Sequence, residues 1–298
     1  MLPIIKMRKI WFAFSATITV LSVLAVMFWG INLSADFTGG SVFSFEFKDQ
    51  RAVPAEIDKK LAEAGFKDYQ IVITDEKSFD LRAGEMAETD HQKLVEVFKD
   101  LGEEKNFESR GPSVGQELKK TTLYAVFLSI VLIVFYVSWS FRGAARFGKI
   151  NSWTYGVTTI IALAHDLVVL IGAFSLLGYI FKVEIDATFV AAMLTTMGYS
   201  VNDTIVSFDR IRENLIRGKK EETFEEVAER SVNETIARSF GTSFTSLLTL
   251  VAIYLFGGET IRYFVLALII GIGFGTYSSI FLASPLLVFW ENRLREKV

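Results

Sequence analysis

The chain has 298 residues, of which 51% are hydrophobic, only 22% are charged and 27 are phenylalanine. This composition argues against an ordinary soluble protein and favours one whose apolar surface contacts lipid. The absence of cysteine excludes disulfides, thiolate metal sites and cysteine nucleophiles, and two histidines are too few for a histidine-rich metal site. A formal net charge of -3 indicates no basic surface, so nucleic acid is not an expected partner.

Six apolar stretches are long enough to span a bilayer, which requires about 20 residues at a helical rise of about 1.5 Å per residue. The predicted membrane-spanning helices are residues 10–32, 121–141, 150–181, 187–208, 239–258 and 263–290. The first follows basic residues, as in a signal peptide. Its apolar run is longer than a signal sequence needs and no small-residue cleavage site follows, so we expect it to be retained.

Lys and Arg are distributed unevenly between the two sides that six crossings define. The short loops between spans on one side hold only Lys182 and Arg262, whereas the other side holds sixteen basic residues. These sixteen lie in the termini 1–9 and 291–298 and in the loops 142–149 and 209–238. Because short basic segments stay in the cytoplasm, both termini are predicted to be cytoplasmic.

The cytoplasmic loop 209–238 also contains a helix signal. Thr223 and Glu226 form a T-x-x-E capping box, and a broad apolar face follows them. We therefore predict an amphipathic helix that lies along the membrane interface and leads to Arg238.

Residues 33–120 form a polar segment with 13 Lys or Arg against 19 Asp or Glu, which we predict to be an extracytoplasmic domain. Alternating phenylalanines at 41–48 predict a strand, and a helix is expected between Pro54 and Gly65. Further patterns predict strands at 69–74 and 78–83, a helix at 90–101 and a strand at 106–114. The order strand, helix, strand, strand, helix, strand predicts a small ferredoxin-like α+β sandwich, in which no catalytic constellation is visible.

Asp203 and Arg238 are the sharpest polar features of the predicted spans. An ionisable group in a spanning helix costs about 2.5 to 3.5 kcal/mol on insertion scales, so it usually faces a protein interior or a pathway. At helical spacing, Asp203 shares a polar strip on the fourth span with Thr196, Tyr199, Ser200 and Ser207. Arg238 begins a second strip, on the fifth span, with Thr242, Thr245 and Thr249.

We expect these two strips to face each other or a shared hydrated seam. A buried carboxylate beside an arginine could take up and release a proton as their separation changes. The alternatives are a static ion pair, an aspartate near the lipid headgroups, or an arginine that reaches the cytoplasmic surface.

His165 and Asp166 interrupt the third span. Adjacent residues point about 100° apart on a helix, so we expect that the two do not share one partner and that at least one lines the interior. They are candidates to join the same proton pathway, and a buried pair satisfied by neighbouring hydroxyls is the alternative. No residues have metal-ligand spacing or form a serine-protease-like triad, so neither a metal nor a cofactor is expected.

The sixth span carries a stripe of small residues at four-residue intervals. Small residues at this spacing let helix backbones approach closely, which predicts a tightly packed partner helix in this chain or in a second subunit. The stripe consists of Ala267, Gly271, Gly275, Ser279 and Ala283.

Two strings resemble the SecF family of the bacterial protein-export machinery: DFTGG at 36–40, and GYSVNDT at 198–204 followed by FDRIREN at 208–214. The likeness extends over nearly the whole chain. The motif positions are Asp36, Gly39, Gly40, Gly198, Tyr199 and Asn202, besides Asp203. We expect Gly39 and Gly40 to permit a backbone turn rather than to bind a ligand.

The resemblance implies a polytopic α-helical membrane fold of the resistance-nodulation-division type, with six helices from this chain and six from SecD. It implies a location in the bacterial inner membrane and use of the proton motive force in late preprotein translocation. Asp203 and Arg238 match the family's proton-pathway residues. The implied partners are SecD, the SecYEG translocase, YajC and YidC, unfolded preprotein and membrane lipid.

Two other functions remain open from the residues alone. The chain could be half of a proton-coupled small-molecule exporter, or a scaffold subunit that transduces no energy. The coupling ion could be sodium rather than a proton, because one aspartate among hydroxyls suits both. An enzyme is not expected, because the chain has no P-loop and no visible nucleophile with its base.

Overall fold

The computed structural model describes residues 2–48, 53–73, 75–143, 151–217 and 222–295. The chain divides into a helical unit, Met1–Asn32 with Tyr124–Val298, and an α+β unit, Leu33–Leu123. Several basic residues used to predict the orientation lie outside the described residues: Arg146, Lys149, Lys219, Lys220 and Lys297.

Long helices build the helical unit. They are α1 (Arg8–Trp29), α5 (Pro112–Ser140, which begins in the α+β unit), α6 (Ser152–Phe181), α7 (Ala187–Arg217), α8 (Phe224–Phe256), α9 (Glu259–Ser278) and α10 (Ser284–Arg295). A π-helical turn, Ser279–Ala283, joins α9 to α10 without a break. The stretch from Thr260 to Arg293 therefore counts as one apolar helix.

Five of the described helices are long and apolar enough to cross a membrane: α1, α5, α6, α8 and the joined α9–α10. The helix α7 is not among the five, although the sequence predicts a span at 187–208. Asn202, Asp203 and a series of hydroxyl side chains lower its mean hydropathy.

Several of the described helices extend beyond the predicted limits. The strand expected at 106–114 ends at Arg110, because Pro112 lacks a backbone donor and begins α5 well before residue 121. The helix α7 continues past residue 208 to Arg217. The amphipathic helix and the span at 239–258, which were predicted as separate segments, form the single 33-residue helix α8, because no proline interrupts it.

The N-terminal segment is held against the first turns of α8. Glu229, on α8, accepts hydrogen bonds from the backbone N–H groups of Ile5 and Lys6, both at 3.1 Å. Asn233 accepts from the N–H of Leu2 at 2.7 Å and donates to its carbonyl at 2.9 Å. Residues that precede α1 are thus ordered by residues far along the chain.

The small-residue stripe of α9 packs against α7 of the same chain. A Cβ atom added to Gly271 would lie 2.4 Å from Cγ2 of Thr196, and one added to Gly275 would lie 2.9 Å from Cβ of Ser200. Ala267 is fully buried. The absence of side chains at the two glycines therefore brings the polar side of α7 into direct contact with α9.

The α+β unit is a four-stranded antiparallel sheet covered by two helices. Its strands are β1 (Gly40–Phe47), β2 (Tyr69–Ile73), β3 (Ser78–Ala83) and β4 (Gly102–Arg110), in the order β2-β3-β1-β4. The helices are α3 (Pro54–Glu63) and α4 (Glu88–Phe98), and the short α2 (Ala35–Thr38) precedes β1. One face of β1 contributes Phe43, Phe45 and Phe47 to a core with Phe79 and Phe98.

Candidate functional site

Asp203 lies in the interior of the helical unit with a short hydrogen bond. Asp203 is only 6% exposed, and its Oδ2 accepts a hydrogen bond from the hydroxyl of Ser279 at 2.6 Å. Ser279 is fully buried at the start of the π-helical turn. The carboxylate of α7 therefore depends on a donor from the helix that the glycine stripe brings close.

Asp203 also lines a polar cleft of about 320 Å³ between α7 and α8. The residues around the cleft are Tyr199, Asn202, Asp203 and Val206 from α7, and Arg238, Ser239, Thr242, Thr245 and Ser246 from α8. Within the described part of the chain, the hydrogen bond of the Asp203 carboxylate is made with Ser279 and not with Arg238. Asp203 and Arg238 therefore share a cleft without the static ion pair that was one alternative.

The predicted strip on α7 divides between two directions. Tyr199 and Asp203 reach the cleft, whereas Thr196 and Ser200 are buried against α9, and Ser207 is fully buried. On α8, Thr249 lies outside the cleft and donates to the carbonyl of Thr245. The polar strip of α7 is therefore wider than its contact with either neighbouring helix, so its residues face different neighbours.

His165 and Asp166 form a buried pair in which each side chain contacts the other, and among the described residues they share no third hydrogen-bond partner. His165 Nδ1 lies 2.9 Å from Asp166 Oδ1, and each residue is 6% exposed. The separation of about 100° applies to the Cα–Cβ bonds, and rotation of the two side chains closes it. The other oxygen, Oδ2, accepts from Ser200 at 2.6 Å and from Ser278 at 2.7 Å.

Two consecutive serines hold the two buried carboxylates. Ser278 donates to Asp166 and Ser279 donates to Asp203, at the junction between α9 and the π-helical turn. Pro285 explains the turn: it lacks a backbone N–H, and its ring clashes with the carbonyl four residues earlier, so the helix widens there. The sequence reasoning missed Ser278 and Pro285, although a proline within the span 263–290 is a signal for an irregular turn.

Hydroxyl groups also connect three helices beside the cleft. The Tyr199 hydroxyl donates to Ser243 Oγ at 3.3 Å, and the Thr276 hydroxyl donates to the same oxygen at 2.6 Å. Gly198, the neighbouring motif residue, has nothing within 4 Å of an added Cβ atom. Contacts with neighbouring helices therefore explain the presence of Tyr199 in the motif, whereas no close contact explains that of Gly198.

The glycine-containing motif of the α+β unit has a backbone role. Gly39 and Gly40 have φ angles of +75° and +119°, which favour glycine, and an added Cβ atom would lie 2.7 Å from Pro112 Cα or from the Ala83 carbonyl, respectively. Asp36 forms an ion pair with Arg110, with Oδ1 and Nε 2.7 Å apart. These contacts fasten the segment before β1 to the end of β4.

Comparison with known proteins identifies the family of the chain. Residues 90–293 match the family model for the protein export membrane protein SecD/SecF, C-terminal. The protein translocase subunit SecF of Thermobaculum terrenum is 39% identical and covers 98% of this chain and 95% of its own length. The SecF of Haemophilus influenzae is 38% identical over 93% of this chain and 82% of its own. The chain belongs to the SecF family.

The SecF family includes solved structures of a longer, fused protein. The crystal structure of SecDF from Thermus thermophilus matches 97% of this chain at 34% identity with a TM-score of 0.82. A SecDF structure in a super-membrane-facing form matches with a TM-score of 0.69 at 33% identity. The chain spans only 38% and 39% of those two SecDF chains.

Membership in the SecF family makes this chain a membrane component of protein export, so the polar interior has to be interpreted as part of a transport subunit. Across the described residues, no group of three or more His, Cys, Asp or Glu side chains could hold a metal ion. What the interior offers instead is two buried carboxylates, a histidine and a network of hydroxyls. Such groups can bind and release a small cation or a proton.

Proposed function

We propose that this SecF chain acts with SecD to use the proton motive force in late-stage translocation of preproteins across the bacterial inner membrane. The fused relatives support the partnership: the Thermus thermophilus SecDF is 36% identical to 89% of this chain, which matches only 35% of the fused length. The remainder of the fused protein is what a separate SecD would supply. The SecYEG translocase, YajC, YidC, unfolded preprotein and membrane lipid are proposed as further partners.

The proposed architecture has six membrane spans with cytoplasmic termini and one ferredoxin-like domain. For the sixth span, the support is that the 31-residue α7 buries many of its side chains between neighbouring helices, where lower hydropathy costs little. For the domain, the support is the antiparallel order β2-β3-β1-β4, with one helix after β1 and one after β3. The excess of basic residues around the termini supports the orientation.

One observation carries the proposed coupling: Asp203 is almost fully buried and bonded to Ser279, yet it lies on the wall of a cleft that also contains Arg238. A charged carboxylate is stabilised when the arginine is near and is costly when the cleft closes without it. Protonation removes that cost. The protonation state of Asp203 therefore favours one arrangement of α7 and α8 over another.

The energy available per proton sets the scale of the motion. One charge that crosses a membrane potential of about 100 mV releases about 2.3 kcal/mol. This amount shifts a two-state equilibrium by about fiftyfold, so one proton can bias a conformational change but cannot drive a complete translocation. Repeated cycles are therefore part of the proposal.

Reconstitution of the chain with SecD and the translocase in vesicles tests the proposal. We expect Asp203→Asn to abolish gradient-dependent export while gradient-independent export continues. The matched control is Asp209→Asn, which removes the same charge from an exposed side chain of α7 that pairs with Arg212. If Asp203→Asn exports as well as the control under a gradient, the chain is a scaffold and not a transducer.

The same vesicles identify the coupling ion and the cargo. Export under a proton gradient, but not under a sodium gradient alone, is the expected result, and the reverse would assign sodium. A small-molecule exporter would instead accumulate drugs in the vesicles without a translocase. Loss of drug transport but not of preprotein export in Asp203→Asn would overturn the proposed cargo.

A further inference from the structure

In the His165–Asp166 pair, one ring nitrogen, His165 Nε2, has no hydrogen-bond partner among the described residues. The Asp166 carboxylate interacts with the His165 ring and accepts hydrogen bonds from the hydroxyls of Ser200 and Ser278. Because His165 Nδ1 faces a carboxylate, this nitrogen carries the hydrogen, and Nε2 of a neutral ring is a bare lone pair. Nε2 is buried, and within the described part of the chain it has no hydrogen-bond partner. It is therefore a buried atom that can accept a proton.

Each of the two consecutive serines has a second acceptor within reach. Ser278 Oγ lies 3.1 Å from the Gly275 carbonyl, and Ser279 Oγ lies 3.0 Å from the Thr276 carbonyl. A hydroxyl has only one hydrogen to donate. When the carboxylate is charged, that hydrogen points to the carboxylate. When the carboxylate is protonated, its own O–H can donate to the serine oxygen, and the serine hydrogen turns to the helix carbonyl.

This choice of acceptors means that either carboxylate can change its charge without leaving a buried donor unpaired. A buried donor left without a partner costs about 1–3 kcal/mol, which is the usual penalty for changing a purely structural polar cluster. Here that penalty is avoided at both Asp166 and Asp203. Because Ser278 and Ser279 are consecutive residues at one helical junction, a movement of that junction changes the hydrogen bonds of both carboxylates.

We propose that His165 and Asp166 form a second proton-binding site, and that Ser278 and Ser279 couple its occupancy to that of Asp203. The inference rests on the proposed proton-coupled function. A proton that enters at His165 Nε2 produces an imidazolium beside the Asp166 carboxylate, and its departure restores the neutral ring. Coupling is reciprocal, so a proton on one site changes the affinity of the other by the same factor.

Few other ionisable groups lie near this second site. The helix α1 contributes none between Ile10 and Trp29. The ring centroid of Tyr277, on α9, lies 6.2 Å from that of His165. The other buried or half-buried ionisable side chains on the described elements that pack against α6 are Arg8 on α1, Tyr199, Asp203, Arg210, Arg212 and Glu213 on α7, and Glu291 on α10.

The pH dependence of gradient-driven export, measured in the vesicles with SecD and the translocase, tests the second site. We expect Asp166→Asn to lower gradient-dependent export at least about tenfold, the factor that corresponds to 1.4 kcal/mol. We expect Ser278→Ala to remain active with its pH midpoint about one unit higher, because the carboxylate loses a charge-assisted donor. The control Ser138→Ala removes a buried hydroxyl without a hydrogen-bond partner among the described residues and should match the wild type.

The outcomes separate this inference from the proposed function. If Asp203→Asn abolishes coupling while Asp166→Asn and Ser278→Ala behave as Ser138→Ala does, the second site is wrong and the transducer stands. If Asp203→Asn is harmless, the proposed function fails. Nitrogen NMR of the labelled chain in the complex measures the protonation of His165 directly, so it does not depend on whether the Asp166 and Ser278 variants fold. In a His91→Gln background His165 is the single histidine, and an Nε2 signal that never titrates over the active pH range would overturn the second site.

Discussion

The two units of the chain bury opposite kinds of side chain. In the α+β unit the interior is a cluster of phenylalanines with Ile57, Leu61 and Leu94, and its described charged residues other than Asp36 lie at or near the surface. In the helical unit the interior contains Asp166, Asp203 and a set of hydroxyls, while many large apolar side chains are exposed. The first pattern is that of a protein in water, and the second is that of a protein in lipid with a working interior.

The difference teaches where to look for function. Buried polar groups in the helical unit incur a cost that an apolar replacement would avoid, which is the reason for proposing that they have a role beyond stability. The ion pair of Asp36 with Arg110 in the α+β unit is partly exposed and fastens two backbone segments. Asp36 and Asp203 both lie in family motifs, but Asp36 joins two backbone segments whereas Asp203 lies in a polar interior.

Removal of a core aromatic ring gives the largest expected effect. Phe98 packs against Phe43, Phe45 and Phe79 in the α+β unit. Phe98→Ala should destabilise this unit by about 3–5 kcal/mol through lost burial and a residual cavity. Hydrogen exchange on the full chain should show faster exchange in the four strands and no change in α6 and α7. Ile73→Ala, at a half-exposed position, is the control, and acceleration spread over both units would break the comparison.

Filling the α7–α9 contact tests the packing of the helical unit. Gly271→Ala places a Cβ atom 2.4 Å from Thr196, whereas the same change at Gly273 meets nothing within 4 Å. We expect Gly271→Ala to cost about 1–3 kcal/mol and Gly273→Ala to be neutral or stabilising. Thermal unfolding in detergent measures the difference. Equal melting temperatures for the two variants would show that the close approach is not needed.

The N-terminal cap of α8 should have a smaller effect. Thr223 accepts from the N–H of Glu226 at 3.3 Å, and the Glu226 side chain accepts from the N–H of Thr223 at 2.8 Å. Thr223→Ala should cost about 1 kcal/mol, localised to the first turns of the helix. The hydrogen-exchange rates of amides in the first turns of α8 measure this local loss of stability. Thr249→Ala, at an exposed hydroxyl bonded only to its own helix, should leave those rates unchanged.

The same cap predicts the smallest effect, a dependence on pH. Hydrogen bonds from the backbone and hydroxyl of Thr223 lower the pKa of Glu226 below its usual value. A lowered pKa in the folded state gives stability that is present above the unfolded-state pKa and is lost as pH falls through the folded-state pKa. Exchange in the first turn of α8 should therefore accelerate on acidification. Glu226→Gln should remove that acceleration, and its persistence would assign it to another group.

Part of this architecture is readable from the sequence. The family motifs predicted a SecF relative, and the comparisons confirmed it. Helical spacing brought Asp203 and Arg238 to adjacent strips because it depends only on local geometry. The hydrogen-bond partners were not predictable in this way. Ser279 was assigned to packing alone, and its bond to Asp203 follows from the axial position of α9 relative to α7.

The irregular turn shows a second limit of sequence reasoning. A regular helix places consecutive residues at fixed angles, so Ser278 and Ser279 could not be matched to two carboxylates while the span was treated as uniform. Pro285 is the local cause of the irregularity, but how the wider turn directs the two hydroxyls depends on the helices around it. Sequence reasoning therefore located the acids and missed their donors.

The contact between the N-terminal segment and α8 has a consequence for biosynthesis. Ile4 and Ile5 are buried, and the amides of Ile5 and Lys6 are satisfied by Glu229, which a ribosome adds more than two hundred residues later. The amides of Ile5 and Lys6 therefore lack this partner until the first turns of α8 have been synthesised. Final docking of the first residues is thereby a late assembly event, one that a fusion placed directly before Leu2 would hinder.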